Sequence, residues 1–247
     1  MKQDIFNILN QWEFNPDNNI RFVSVNNNRE FMQIRLPLGI EQYELIGRPD
    51  GKKPFGKTTI LEEYLTRLED VKISNKKFIL SDKDFTELRD EALLFYYRYL
   101  ILFQIGEYKR TIDDTDHNLK ICELVDKYYS KDDKKQLLQY RPYIIRINSI
   151  SKSMIAIQDK NVEFARKHLL NGIDSINKFP KVDTDIYTFE KERSLQNLDE
   201  ILKQLKSQYP DEKEILEEEL NRAVEAENFK LAAEIRDKIR DLKDFSS

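Results

Sequence analysis

The chain has 247 residues, of which 35% are charged and 40% are hydrophobic, with only six glycines and seven prolines. Many charges with few helix breakers are typical of long amphipathic helices, and the 14 Phe and 12 Tyr argue against a fully disordered chain. The formal net charge of −4 excludes a general attraction to nucleic acid or to anionic membranes, which leaves only a local basic patch.

The cysteine content and the apolar runs bear on where the protein works. The single cysteine, Cys122, excludes an internal disulfide framework and suits a reducing compartment. The first seven residues are too polar for a secretory signal, and no apolar run approaches the roughly 20 residues that span a bilayer. We therefore expect a cytoplasmic protein without a membrane partner.

The N-terminal residues read as a short helix followed by a β-hairpin. Residues 4–13 have the apolar spacing of one amphipathic helix. Residues 21–25 and 30–36 alternate apolar and polar side chains, and the three asparagines at 26–28 tolerate turn geometry. This pattern predicts two antiparallel strands.

A third strand and a helix complete the predicted N-terminal module. Residues 37–39, Pro-Leu-Gly, are expected to end the hairpin, and a third strand is predicted over 42–46. Residues 47–51, Gly-Arg-Pro-Asp-Gly, form a strong turn sequence, and a helix is predicted over 58–71. Residues 1–75 are thus expected to form a small α+β module.

Residues 76–208 have a helical pattern almost throughout. Residues 81–84, Ser-Asp-Lys-Asp, offer N-caps for a helix that reaches Ile105, and Gly106 marks a tight turn into the next helix. Further helices are predicted over residues 107–129, from Pro142 to the turn at 159–161, over 161–178 and over 185–207.

Two helix pairs in this region share a shape. In each, a long aromatic or aliphatic helix leads through a tight turn, at 106–108 or 159–165, into a helix with small residues inside. This packing resembles that of tetratricopeptide repeats, where small residues let neighbouring helices approach closely. Because the repeat consensus is absent, the resemblance covers the architecture alone and implies a groove or a scaffold. An ordinary helical bundle is the alternative.

The stretch from Gly51 to Thr58, G-K-K-P-F-G-K-T, fits the pattern of a phosphate-binding loop. In that interpretation Lys57 reaches the outer phosphates and Thr58 ligates magnesium. The surrounding pattern disagrees, because such folds need parallel strands that alternate with helices, and Pro54 and Phe55 replace small residues. A turn that leads into an N-capped helix is the preferred interpretation.

Other residue types that carry chemistry are sparse. The candidate contacts for phosphate or nucleic acid are Arg48, Lys52, Lys53 and Lys57. Neither His117 nor His168 has a metal-ligand partner at a useful spacing, so we predict no metal, no cofactor and no catalytic residue. The aromatic run at 95–99 can stack on bases, but packing in a helix core is the preferred interpretation.

Residues 211–244 have the pattern of a helical hairpin. The two predicted apolar stripes consist of Leu216, Leu220, Ala223 and Val224 on one helix and Ala232, Ile235, Ile239 and Leu242 on the other. Phe229 is expected to plug the closed end near the turn, and Ala232 with Ala233 permits close backbone contact. Arg236 and Asp237 are expected to fix the register through charge-assisted contacts.

This hairpin resembles the UVR domain, which the bacterial excision-repair proteins UvrB and UvrC share with some protease-associated proteins. The matching residues are Leu220, Ala223, Glu227, Phe229, Ala232, Ala233, Arg236, Asp237 and Ile239. Asn228 stands where the family more often has Asp. The resemblance implies that the hairpin pairs with another UVR hairpin, in the same or a different protein. Seven basic against twelve acidic residues over 211–244 make DNA contact by the hairpin an unfavourable alternative.

The sequence therefore predicts a mostly α protein with a small β-rich N-terminal module, a tetratricopeptide-like middle domain and a C-terminal hairpin. We expect a non-catalytic adaptor or regulator whose hairpin recruits a partner or a second copy. The predicted contact residues are Leu216, Leu220, Ala223, Phe229, Ala232, Ala233, Arg236, Asp237 and Ile239. The alternatives are an accessory factor of nucleotide excision repair, a phosphate-loop nucleotide binder, and a hairpin that packs on its own helical domain.

Overall fold

The computed structural model describes residues 5–25, 29–74, 77–210 and 212–245 of the chain. The fold is mostly α-helical, with a small antiparallel sheet near the N-terminus and a helical hairpin at the C-terminus, as the sequence predicts. Within these ranges no helix combines the length and the apolar character that crossing a bilayer requires.

The sheet has three strands in the order of the chain. After the short helix α1 (Phe6–Gln11) come β1 (Ile20–Val25), β2 (Arg29–Leu36) and β3 (Gly39–Glu44), with β2 in the middle and antiparallel to both neighbours. The predicted hairpin of β1 and β2 is therefore confirmed, whereas its asparagine turn at 26–28 lies outside the described residues.

The third strand begins three residues and ends two residues earlier than the sequence predicts. Leu36 pairs directly with Gly39, so Pro37 and Leu38 alone connect β2 to β3. A two-residue connection keeps the second and third strands in one continuous antiparallel ladder. The strand consequently begins at Gly39 and ends at Glu44, instead of covering residues 42–46.

The other helices follow the predicted order, and each lies within two residues of its predicted bounds apart from the unpredicted α5. Their bounds are α2 (Ile60–Ile73), α3 (Asp82–Gln104), α4 (Tyr108–Tyr128), α5 (Lys135–Leu138), α6 (Arg141–Gln158), α7 (Val162–Lys178), α8 (Asp185–Gln208), α9 (Glu212–Glu225) and α10 (Phe229–Phe245).

Local capping chemistry explains where the long helices begin and end. The Ser81 side chain accepts a hydrogen bond from the Asp84 amide, and the Asp84 carboxylate accepts one from the Ser81 amide, which makes a capping box. Gly106, at φ 80°, and Lys160, at φ 58°, take the left-handed conformation that ends α3 and α6. The Asn161 side chain then caps the start of α7.

Two apolar clusters form the interior of the helical body. One is built from α2, α3, α4 and the start of α6, around side chains such as Leu88 and Ile121. The other is built from α6, α7 and α8, around Leu169 and Leu198. At Gly172 the helices α6 and α7 approach so closely that an added Cβ would lie 2.3 Å from the Ser149 hydroxyl oxygen.

A fully buried carboxylate, Glu91 on α3, receives contacts from three other segments. The amides of Ile60 and Leu61, in the first turn of α2, donate to it at 2.7 and 2.9 Å. The Arg48 guanidinium donates at 3.1 Å, and His117 Nε2 of α4 lies 3.2 Å away. Burial alone raises the pKa of Glu91, but the contacts from His117 and the two amides outweigh it and hold that pKa below its usual value.

A second buried charge lies two turns further along α3. Arg98 donates to both carboxylate oxygens of Asp114 on α4, at 2.8 and 2.5 Å. Its remaining nitrogen donates to the carbonyl oxygens of Glu44, the last residue of β3, and of Gly47, which follows the sheet. Because Met32 of β2 also packs against Leu102 of α3, the sheet is fastened to the helical body through one face of α3.

Replacing Glu91 by Gln should lower the free energy of unfolding by about 3 kcal/mol, because Arg48 loses one of its two carboxylate partners and the amides of Ile60 and Leu61 lose a charged acceptor. The usual carboxyl pKa is 4.5, and the folded value is lower. The contribution of Glu91 is therefore present above pH 4.5 and is lost as the pH falls through the folded pKa. Urea unfolding measured from neutral to acidic pH should show that the difference in free energy of unfolding between wild type and Glu91→Gln becomes smaller in acid. Glu123→Gln, on the exposed face of α4, should behave as wild type.

The thiol of Cys122 should not react with a disulfide reagent at pH 8 until the protein unfolds. The side chain is fully buried, and burial raises its pKa to about 11, so both access and thiolate are lacking in the folded state. Absorbance after addition of the reagent, with and without guanidinium, measures this directly. Stoichiometric reaction of the folded protein within the mixing time would contradict the burial of Cys122.

Candidate functional site

The segment that fits a phosphate-binding loop forms a different structure. Residues Pro54–Gly56 make a short 3-10 turn, and the Thr59 side chain caps α2. The amide and hydroxyl of Thr58 both donate to the Glu62 carboxylate, at 3.0 and 2.5 Å. With Glu91 bound to the next amides of α2, two carboxylates of the protein occupy the donors that a phosphate needs. The structure therefore agrees with the preferred interpretation, a turn that leads into an N-capped helix.

The predicted basic patch is also divided by the structure. Arg48 is mostly buried and pairs with both Asp50 and Glu91, so its charge is neutralised within the protein. Lys52 and Lys53 are exposed, and Lys57 is half-buried. The four residues thus do not form one cationic surface.

The histidines occupy structural positions. His117 stacks on the ring of Phe95 at a centroid distance of 3.7 Å, and His168 is half-buried on α7, where burial lowers its pKa. In the part of the chain that the structure describes, no group of three or more His, Cys, Asp or Glu residues is arranged to hold a metal ion.

The helices α9 and α10 form the predicted hairpin, and a compact turn joins them. Glu227 takes a left-handed conformation at φ 55°, and the Asn228 amide donates to the Ala223 carbonyl at 2.9 Å. The Asn228 side chain accepts a hydrogen bond from the Leu231 amide at 3.3 Å. Asn228 therefore caps α10 as an Asp would, and the departure from the family pattern leaves the turn intact.

The hairpin has its own small apolar interior. Its members come from α9 and α10 alone: Leu216, Leu220, Ala223, Ala232, Ile235 and Ile239. Ala223 and Ala232 are buried on either side of the turn, where small side chains allow the helices to approach closely. Of the predicted contact residues, Leu216, Leu220, Ala223, Ala232 and Ile239 thus pack inside the hairpin.

Two residues expected to pack inside the hairpin lie outside it. Phe229 is the first residue of α10 and is 68% exposed, so it does not plug the closed end. Val224 is 49% exposed, because it is rotated by about 100° from Ala223, which faces α10. The side chain of Leu242 lies outside the described residues.

The predicted register contact is likewise replaced by a local one. Asp237 pairs with Arg240 of the same helix, at 3.4 Å, which is a contact within α10. Arg236 and Ala233 are exposed, and their spacing places them on the same side of α10 as Phe229. We call Phe229, Ala233 and Arg236 the exposed flank of the hairpin.

The buried charges of α3 were missed by the sequence-based predictions. Glu91 and Arg98 are separated by seven residues and adjoin the apolar stripe that contains Phe95 and Tyr99. Charged residues within such a stripe, in place of the expected apolar ones, are the pattern that could have revealed them.

The comparison with protein families identifies the hairpin. Residues 212–245 match the family described as the UvrB/uvrC motif, which is an interaction module. No curated protein and no solved structure matches the chain. The match covers the two helices of the hairpin and leaves the sheet and the helical body unassigned.

Millimolar magnesium-ATP should leave the melting temperature of the protein unchanged, because the amides at the start of α2 already bind Glu91 and Glu62. Differential scanning fluorimetry, with Lys57→Ala as a second sample, is sufficient. A magnesium-dependent rise of the melting temperature that Lys57→Ala abolishes would restore the nucleotide-binding interpretation.

Proposed function

We propose that the protein is a non-catalytic adaptor or regulator whose C-terminal hairpin pairs with another UVR-type hairpin. The partner hairpin belongs to a second copy of the chain or to a different protein. The observation that carries the proposal is the exposed flank, because it leaves a large aromatic side chain, Phe229, in solvent within a segment that matches an interaction motif.

The size of the hairpin interior supports docking. Apart from two alanines, its described members are Leu216, Leu220, Ile235 and Ile239, of which the two leucines are only half-buried. Two helices with so small an interior are marginally stable in water and gain stability when they bury further apolar surface. Val224 and Leu231, both exposed, supply further apolar surface on the hairpin.

The charges of the two helices support pairing between like hairpins. Helix α9 carries six acidic and two basic residues, whereas α10 carries four acidic and five basic ones. When two hairpins pair with α9 of one beside α10 of the other, unlike charges meet along both seams. The same argument disfavours DNA as the partner of the hairpin, because α9 repels phosphate.

The rest of the chain serves, in this proposal, as a scaffold. We assign residues 1–75 to the N-terminal module, residues 76–208 to a tetratricopeptide-like helical domain and residues 211–244 to the hairpin. The buried thiol of Cys122 suits the reducing cytoplasm, where we place the protein.

The alternative function is that of an accessory factor in bacterial nucleotide excision repair. The description of the matched motif favours it, since the hairpin would then dock on UvrB or UvrC through the same flank. Direct DNA contact by the N-terminal module is a weaker part of this alternative, because Arg48 is bound by Asp50 and Glu91 and leaves the exposed cations to Lys52 and Lys53.

Replacing Phe229 by Asp should abolish hairpin pairing, because it exchanges the exposed aromatic side chain of the flank for a charge that pairing would bury. Light scattering coupled to size-exclusion chromatography, at tens of micromolar, should show wild type as a dimer or as a complex with added UvrB or UvrC, and Phe229→Asp as a monomer. Lys238→Gln, an exposed position about 180° around α10 from Phe229, is the control and should retain the assembly.

Two results would contradict the proposal. In the first, the full chain is monomeric alone and binds neither UvrB, nor UvrC, nor a synthetic hairpin of residues 211–245, so the exposed flank has no partner. Equal assembly by wild type and Phe229→Asp would show that pairing uses another surface.

A further inference from the structure

A groove runs between α3, α6 and α8, and no residue of the hairpin is among its described lining residues. Its first part is a cleft of about 510 Å³, which we call the tyrosine cleft, lined by Tyr96, Tyr99, Tyr143 and Glu190 among others. Its second part is a recess of about 540 Å³, which we call the arginine recess, lined by Phe103, Arg146, Arg193 and Glu200 among others.

The two parts lie along the same helix faces. On α6, Arg146 follows Tyr143 by three residues, and on α8, Arg193 follows Glu190 by three. Residues three apart are neighbours on a helix surface, so the cleft leads into the recess. The Arg146 guanidinium spans the junction, 5.0 Å above the Tyr143 ring and 3.9 Å from the Glu190 carboxylate.

The tyrosine cleft has the shape and chemistry of a side-chain pocket. Tyr96 and Tyr99 lie almost perpendicular to each other with ring centroids 5.6 Å apart, and Tyr143 lies 6.1 Å from Tyr96. Aromatic walls of this kind bind apolar or aromatic groups, and the tyrosine edges allow polar contacts at the mouth.

The cleft also contains buried acceptors without donors. Asn118 is 3% exposed, and its amide nitrogen donates to the Ala92 carbonyl at 2.9 Å. Its side-chain oxygen, like Glu190 Oε2, receives no hydrogen bond from the described residues. A buried acceptor without a donor is costly, so a ligand N–H would be favoured here.

The arginine recess presents the complementary chemistry. Arg146 is 6% exposed, and Glu190 is its closest described counter-charge. Burial lowers the pKa of Arg146, Glu190 opposes this effect, and the neighbouring Arg193 adds to it. The positive charges of the two guanidinium groups repel each other, and a carboxylate bound between them would stabilise both.

We propose that this groove binds an extended peptide of a protein partner. An acidic side chain of the peptide pairs with Arg146 and Arg193, and an apolar or aromatic side chain close to it in the peptide enters the tyrosine cleft. A peptide backbone supplies both N–H donors for the Asn118 and Glu190 oxygens and carbonyl acceptors for the arginines.

The charges of the groove select a peptide over a polyanion. Glu190 and Glu200 line the groove beside the arginines, so a run of phosphates would be repelled by these two carboxylates. Arg89, which also lines the cleft, is already paired with Asp90. One or two carboxylates, spaced along a chain that also carries apolar groups, fit this mixed lining.

Selection of a random peptide library on the immobilised full chain tests the proposal. Enriched peptides should share an acidic residue at a set spacing from an apolar or aromatic one. In fluorescence anisotropy, Arg146→Gln and Arg193→Gln should weaken these peptides about tenfold, as loss of a charge-assisted contact does. Tyr96→Ala should also weaken binding, whereas Arg67→Gln, which removes a half-buried arginine of α2 outside the groove, should not.

Further controls separate binding from folding and from the hairpin. Replacing the acidic residue of the peptide by its amide should weaken binding less for Arg193→Gln than for wild type, because one of the two arginine contacts is already absent. Arg193 is exposed, so this variant keeps the helical core unchanged. Phe229→Asp should bind the peptides as wild type does. Absence of enrichment, enriched peptides without an acidic position, or affinity unchanged in both arginine variants would overturn the proposal.

Discussion

The fold depends on two buried charges that share one face of α3. Glu91 holds the start of α2 and the loop at Arg48, while Arg98 holds Asp114 of α4 and the backbone that leaves the sheet. Removing such charges from water costs several kcal/mol each, and only nearly complete sets of hydrogen bonds offset that cost. The N-terminal module is therefore positioned by directional contacts, which specify one arrangement more strictly than apolar contact does.

The same constraint decides where interaction can occur. Because Glu91 and Glu62 accept hydrogen bonds from the amides and hydroxyl around the start of α2, those donors are already bound within the protein, even though the sequence there fits the phosphate-loop pattern. The two proposed interaction surfaces lie elsewhere, on the exposed flank of the hairpin and in the groove between α3, α6 and α8. Two separate surfaces would let one chain hold two partners at once.

The helices were predictable because their capping and periodicity are local. Ser81 and Gly106 mark the ends of α3 in the sequence as clearly as in the structure. The third strand was placed wrongly, since Leu36 pairs with Gly39 across a two-residue turn and the sequence there also fits a longer connection. In the hairpin, the spacing of the apolar residues correctly predicted most of the interior. The orientation of Phe229 did not follow from it, because a residue at a helix start can face either way.

The sequence by itself determined the helical class, the order of the elements and the UVR-type hairpin, because each of these follows from interactions between residues close in the chain. Only the tertiary structure decided which charges are buried. Glu91 meets Ile60 and Arg98 meets Asp114 only after α2, α3 and α4 have packed together. The groove is equally non-local, since Tyr96, Arg146 and Glu190 come from three helices. Contacts between distant segments depend on the packing of whole helices, and residue spacing within one segment carries no record of that packing.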